Sequence, residues 1–165
     1  MTPDLDAFLD YLERVHARTR RIALLIPDDH LEWSVRPGAM TLGDLVRHLA
    51  VTERLMWAET VSGRPSRYAS HGCELADGKA AVLDFYDRQH AEAVAIFRAL
   101  SPQAFAGPCL TPAGASMPVW KWLRALLEHE AHHRGQLYLL LSLIGVPTPP
   151  LFGLTSEDVR SRAAH

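Results

Sequence analysis

Residues 119–146 read VWKWLRALLEHEAHHRGQLYLLLSLIGV, a proline-free run between Pro118 and Pro147. With His129 at zero and about 100° per residue, Trp122 and Leu140 fall at about 20°, His133 at about 40°, Leu126 at about 60° and Leu137 at about 80°. One face thus carries tryptophan, leucine and two histidines, the stripe of a helix packed on a core. Pro118 suits the first helical turn, where a missing amide costs nothing, and Gly145-Val146-Pro147 is a stop.

Working outward, the 11 prolines punctuate the rest of the chain. Pro3, Pro27, Pro37, Pro65, Pro102, Pro108, Pro112 and Pro118, with Pro147, Pro149 and Pro150, leave residues 4–26, 38–64, 66–101 and 119–146 free of the residue that breaks helix interiors. Residues 4–26 repeat Leu5, Phe8, Leu9, Leu12, Val15, Thr19, Ile22 and Ile26 at helical spacing after Asp4. The second helix is expected to start at Thr41, whose hydroxyl and Asp44 three residues on form a capping-box pattern. Asp77 is the expected cap of the third, which carries Val82, Phe85, Tyr86, Ala93, Ile96, Phe97 and Leu100. Rods of this length, about 33 to 42 Å, pack economically as an all-α antiparallel four-helix bundle. Connections of about 14 residues or more accommodate a long crossover within a single domain spanning 1–165. The interval 101–118 has room for one short strand, and Thr155-Ser156-Glu157-Asp158 reads as a capped turn after an extended tail.

Composition narrows the function classes. Forty-eight per cent hydrophobic residues can build a core, while 17 Lys+Arg against 19 Asp+Glu, without basic blocks, disfavour a nucleic-acid surface held by clustered positive charge. No apolar run reaches the roughly 18 to 20 residues of a membrane span, and MTPDLDAF lacks the basic and apolar regions of a signal peptide. A cytoplasmic protein with no membrane partner is expected. Cys73 and Cys109 fall in loop-like sequence, too far apart for a redox pair, and reduced thiols are expected there.

Nine histidines remain. His129 and His133, at i and i+4 on a buried stripe, place their Cβ atoms about 6 Å apart, so both rings can reach one divalent ion. Two unpaired imidazoles in a core are otherwise costly. A third ligand must come from another helix. His48, at the edge of the second apolar stripe, is the best candidate, with His16 and His90 as rivals or pocket lining. His132 lies about 60° from His129, a position beside the ligands or facing a substrate. His30, His71 and His165 fall in loops or at the terminus, where solvation is the expectation. Residues 129–133 also match HExxH, in which the glutamate is the general base of a zinc peptidase. However, Gln136 replaces the glycine of the longer peptidase motif, and Glu130 projects about 100° from His129. Glu130 is expected to be solvated or hydrogen-bonded away from the metal.

Trp33, Pro37 and Gly38 precede Thr41-Leu42-Gly43-Asp44-Leu45-Val46-Arg47-His48-Leu49. Together with His129-Glu130-Ala131-His132-His133-Arg134-Gly135-Gln136-Leu137, and a tail from Gly145-Val146-Pro147 through Pro150-Leu151-Phe152-Gly153, they resemble the paired signatures of the DinB/YfiT-like metal-binding four-helix bundles. The resemblance covers nearly the whole chain in order. It implies a divalent metal on His48, His129 and His133, with Gly135 allowing close helix packing and Gln136 facing the site. It also implies a homodimer, with the N-terminal and fourth helices at the contact. The family name reflects DNA-damage induction, a matter of regulation and stress response.

Three neutral imidazoles leave coordination positions open, as catalytic sites do. The leading expectation is a metal-dependent transferase in which a low-molecular-weight thiol of the bacillithiol, mycothiol or glutathione kind is activated for attack on a small electrophile. The alternatives are a hydrolase using metal-activated water and a non-catalytic module whose metal fixes the bundle. Zinc is the default ion and nickel the alternative. No catalytic side chain is assigned.

Overall fold

The computed structural model describes residues 4–163; Pro3 and His165 lie outside them. Helix α1 (Leu5–Ala23) opens on Asp4, whose carboxylate accepts from the amides of Asp6 and Ala7, and closes with Arg20 and Arg21 at its negative end. Helix α2 (Leu42–Thr52) starts in the expected capping box of Thr41 and Asp44. The rod then continues through a π-helical segment (Glu53–Trp57) into α3 (Ala58–Val61). Helix α4 spans Lys79–Arg98, α5 Pro102–Ala106, α6 Val119–Leu143 and α7 Ser156–Ala163.

Three boundaries differ from expectation. The chain enters α4 through Gly78 at φ +81°, a left-handed conformation suited to glycine, so Asp77 stands one residue too early to cap. Pro118 is the N-cap of α6 rather than part of its first turn. The 101–118 interval holds a short helix and a hairpin rather than one strand: β1 (Pro108–Leu110) pairs antiparallel with β2 (Ser116–Pro118). Cys109 is therefore buried in a strand, while Cys73 is exposed; both are free. At the C-terminus Thr155 and Asp158 exchange amide bonds of 2.9 and 3.1 Å and cap the two turns of α7.

Helices α1, α2 with its extension, α4 and α6 form the four-helix bundle. One apolar end is built from Ile22, Leu45, Val82 and Leu141, and the other from Leu12, Val61, Phe97 and Leu123. The order of these residues along each rod gives the directions. Helices α1 and α6 run one way, and the α2 rod and α4 run the other. Since α2 and α4 are parallel neighbours, the connection 62–78 must travel back the length of the bundle. This is the long crossover, and it lies along α2: Arg67 N donates to Leu55 O at 2.7 Å, and Ala76 O accepts from Arg47 Nε at 2.8 Å. Among the described residues no helix is long and apolar enough to cross a membrane.

The two apolar ends are separated by a buried polar layer containing His16 and Thr19 of α1, Glu53, His90 of α4, and Glu130, His133 and Arg134 of α6. At the start of α2 the chain before it is clamped. Gly43 N donates to Leu31 O at 2.6 Å, and a side chain at Gly43 would meet Glu32 Oε1 at 2.9 Å and Leu31 Cγ at 3.1 Å. Arg47, with no exposed surface, donates to Asp44 at 3.1 Å, to Glu32 and to the Ala76 carbonyl. It joins the entry loop, α2 and the crossover. Arg47→Ala should lower the unfolding free energy by about 3 kcal/mol, the order expected when a buried ion pair loses one partner. Arg47→Lys should lose less, since it keeps the charge but not the planar fork; denaturant melts of the two variants check both values.

Candidate metal centre

The first two turns of α2 bury Leu42, Leu45, Val46 and Leu49, which turns the intervening His48 toward α6. From α6, His129 and His133 approach one turn apart. His48 Nε2 lies 3.0 Å from His129 Nε2, and His133 Nε2 lies 3.1 Å from the same atom. The rings are inclined to one another by 48° to 74°, so three in-plane nitrogens converge instead of stacking. All three donor atoms fall within 4.8 Å, and among the described residues no fourth His, Cys, Asp or Glu joins them.

The electrostatics keep these rings neutral. Burial, followed by the neighbouring His133 and His71, pushes the His48 pKa down to about 4. Burial, then His133 and His48, pushes His129 to about 3. His133 is also lowered by burial, against the opposing hydrogen bond to Gln136.

Hydrogen bonds on the far side of the rings choose the tautomers. His133 Nδ1 donates to Gln136 Oε1 at 2.6 Å, which leaves Nε2 as a bare lone pair. His48 Nδ1 is 3.0 Å from the Tyr68 hydroxyl, which is itself 2.7 Å from His71 Nδ1. With His48 Nδ1–H donating to Tyr68 and the Tyr68 hydroxyl donating to His71, the His48 Nε2 lone pair also faces the trio. His129 Nδ1 is buried without a partner. Its ring packs 4.9 Å from that of Trp57, the last residue of the π-helical segment, which is anchored by Trp57 Nε1 donating to Trp122 O at 3.1 Å. Three nitrogen donors of this kind suit a divalent first-row ion such as zinc, nickel, cobalt or copper, and a three-ligand set leaves room for an exogenous ligand.

The other site residues read from sequence are distributed around this centre. Gln136 faces it. His132 is exposed, with its ring edge-on to His133 at 4.9 Å, a place at the rim. His16 does not join the trio: it stacks between Tyr86 and His90 at 4.3 and 3.7 Å. His90 lies there too, bonded to Glu53 and Glu13; burial alone would lower its pKa, but these carboxylates raise it to about 9. Glu130 is not solvated. It is buried, accepts from the Tyr86 hydroxyl at 2.5 Å, and burial pushes its pKa up to about 7. Its carboxylate is thus engaged on α4, away from the peptidase-base position. Gly135 is exposed, and a Cβ there would meet nothing within 4 Å, so within this chain it serves no close helix packing.

Tyr68 and His71 were not legible as site residues; His71 keeps part of its surface exposed, but the crossover lays its ring edge-on to His48, 5.7 Å away. The available signal was the length of that connection, since long loops without secondary structure are commonly functional. His30 is not in a loop but closes a single 3-10 turn, Asp28–His30, with its Nδ1 2.9 Å from Asp29 Oδ1. A cavity of about 780 Å³ lies elsewhere, lined by Thr60, Arg64, Ser66, Cys109 and Thr111 among others, and includes none of the three histidines.

Comparison with known proteins agrees with this architecture. A family model described as the DinB superfamily matches residues 11–137. A DinB-like protein from Bacillus cereus superposes with a TM-score of 0.78 at 19% identity, covering 91% of this chain and 99% of that one. YfiT from Bacillus subtilis, described as a "probable metal-dependent hydrolase with an unusual four-helix bundle topology", gives 0.69 at 19% identity over 87% and 89%. A mycothiol-dependent maleylpyruvate isomerase gives 0.66 at 20% identity, covering 82% of this chain and 61% of its own. No curated protein matches by sequence. With the model match spanning most of the chain and the bundle reproduced in these structures, the protein belongs to the DinB superfamily.

Proposed function

We propose that the chain is a metal-dependent transferase that activates a low-molecular-weight thiol at His48, His129 and His133 for attack on a small electrophile. The observation that carries this reading is the convergence of three neutral Nε2 atoms, with the opposite nitrogen of His133 donating to Gln136 and that of His48 bonded to the Tyr68 hydroxyl. A divalent ion on these nitrogens, zinc by default and nickel as the alternative, would supply the positive charge that holds a thiol, ordinarily of pKa about 8.5, as thiolate at neutral pH.

The surrounding residues prepare that chemistry. Tyr68 and Gln136 hold the His48 and His133 rings in the ligating tautomer, Trp57 covers one side of His129, and His132 stands at the rim where a cosubstrate would enter. Because the three imidazoles add no negative charge, the full charge of the ion remains available to an incoming anion. The structural neighbour that depends on mycothiol supports a thiol cosubstrate. The neighbour described as a hydrolase supports the second reading, in which the same ligands serve a metal-activated water.

Tyr68→Phe and Gln136→Leu should each weaken metal affinity by about 10- to 100-fold while the bundle stays folded, as removal of outer hydrogen bonds to ligands generally does. Competition with a chromophoric chelator measures this, and His129→Ala should remove high-affinity binding at the centre. Cobalt-substituted protein titrated with bacillithiol, mycothiol or glutathione should develop a sulfur-to-metal charge-transfer band, and the metal-loaded enzyme should conjugate a panel of electrophiles with at least one of them. Turnover of esters or amides without thiol, and with no such band, would assign the hydrolase instead.

A further inference from the structure

The polar layer contains a second group of donors. Among the described residues only two clusters bring three His, Cys, Asp or Glu donor atoms within 4.8 Å of one another, and the second consists of His16, Glu53 and His90. We propose that these three residues form a second divalent-cation site, separate from the three-histidine centre, which ties α1, the π-helical segment and α4 together.

The residues are 9%, 3% and 5% exposed, so water does not satisfy them. Each histidine is backed by a carboxylate on one ring nitrogen: His16 Nε2 donates to Asp87 Oδ1 at 3.2 Å, and His90 Nε2 donates to Glu13 Oε2 at 3.2 Å. A carboxylate behind an imidazole is the usual support of a metal ligand, because it fixes the tautomer and raises the basicity of the other nitrogen. On that other side His90 Nδ1 meets Glu53 at 3.0 and 3.1 Å, while His16 Nδ1 is buried with no partner. A simple imidazolium–carboxylate pair would account for His90 and leave this atom of His16 unexplained.

Charge points the same way. Glu13, Glu53 and Asp87 meet one guanidinium, that of Arg20, which lies 2.7 Å from Asp87. With His90 neutral, as a ligand must be, three carboxylates against one guanidinium leave two negative charges, which one dication cancels. Glu53 is also the first residue of the π-helical segment, a local geometry concentrated at functional sites.

The His16 and His90 rings are stacked, 3.7 Å apart and 9° from parallel, and His90 Nδ1 donates to Glu53. Imidazole donates in its own plane, so the rings must splay to share an ion, and the ion enters as that Nδ1 proton leaves. Two nitrogens and a carboxylate oxygen suit a first-row transition dication. Enclosure by three rods makes the site a structural one.

Cobalt(II) titration of the chelator-treated full chain tests this, read by absorption and by metal analysis after gel filtration. Wild type should bind two equivalents. His129→Ala/His133→Ala should retain one, and its melting temperature should rise with cobalt by several degrees. Adding Glu53→Gln or His16→Gln to that background should abolish both the equivalent and the rise. Absence of cobalt from the folded double variant, or its retention after Glu53→Gln and His16→Gln, would overturn the proposal. Should the double variant fail to fold, wild type and Glu53→Gln decide alone: two equivalents falling to one support the site, and equal stoichiometry rejects it. Failure of the three-histidine centre alone gives a different pattern, one equivalent in wild type that survives His129→Ala but not Glu53→Gln.

Discussion

Imidazoles and carboxylates withdrawn from water must find partners, and in this bundle they are withdrawn together, in one layer between two apolar ends. Every rod contributes to it, so no rod can slide by a turn without stranding a polar group on its neighbours. His90 must stay level with Glu53 and Glu13, Tyr86 with Glu130, and Arg134 with Thr19, the last at 3.3 Å. Leucine packing alone tolerates such slips better, since apolar contacts are non-directional. The layer thus fixes register, and register is what sets His48 opposite His129 and His133.

The topology adds a second constraint. Two parallel neighbours in a bundle cannot be joined by a tight turn, so the chain between α2 and α4 has to retrace the rod it has just left. In doing so it passes Leu55, the His48 ring and Arg47 in turn, and the hydrogen bonds it makes on the way include the one that orients His48. The supporting shell of the centre is thus partly a product of connectivity.

This division explains what could be read in the chain. The four rods, the Thr41–Asp44 cap and the pairing of His129 with His133 are local patterns, written within one or two helical turns. The choice of His48 required only that a second apolar stripe carry a histidine at its edge. Tyr68 and His71 reach His48 by long-range packing of a segment with no periodicity. The π-helical segment leaves the apolar spacing of its rod nearly intact while shifting the rod's faces past Glu53. His16 and His90 looked like rivals for one centre because a wheel shows which face a residue takes but not the height at which it meets other rods. Glu130 was ambiguous for the same reason: its partner Tyr86 lies 44 positions away.

The placement of Tyr68 has a consequence for how such a protein can diversify. The three histidines sit on helices whose register is locked, whereas Tyr68, which bonds His48 from behind, rides on an irregular connection with few backbone ties. On the proposed function, substitutions in that connection would retune the electron donation reaching an ion held by the three histidines, while those histidines and the bundle stay as they are. A shared scaffold with divergent chemistries is the natural outcome of that separation between what is rigid and what is free to vary.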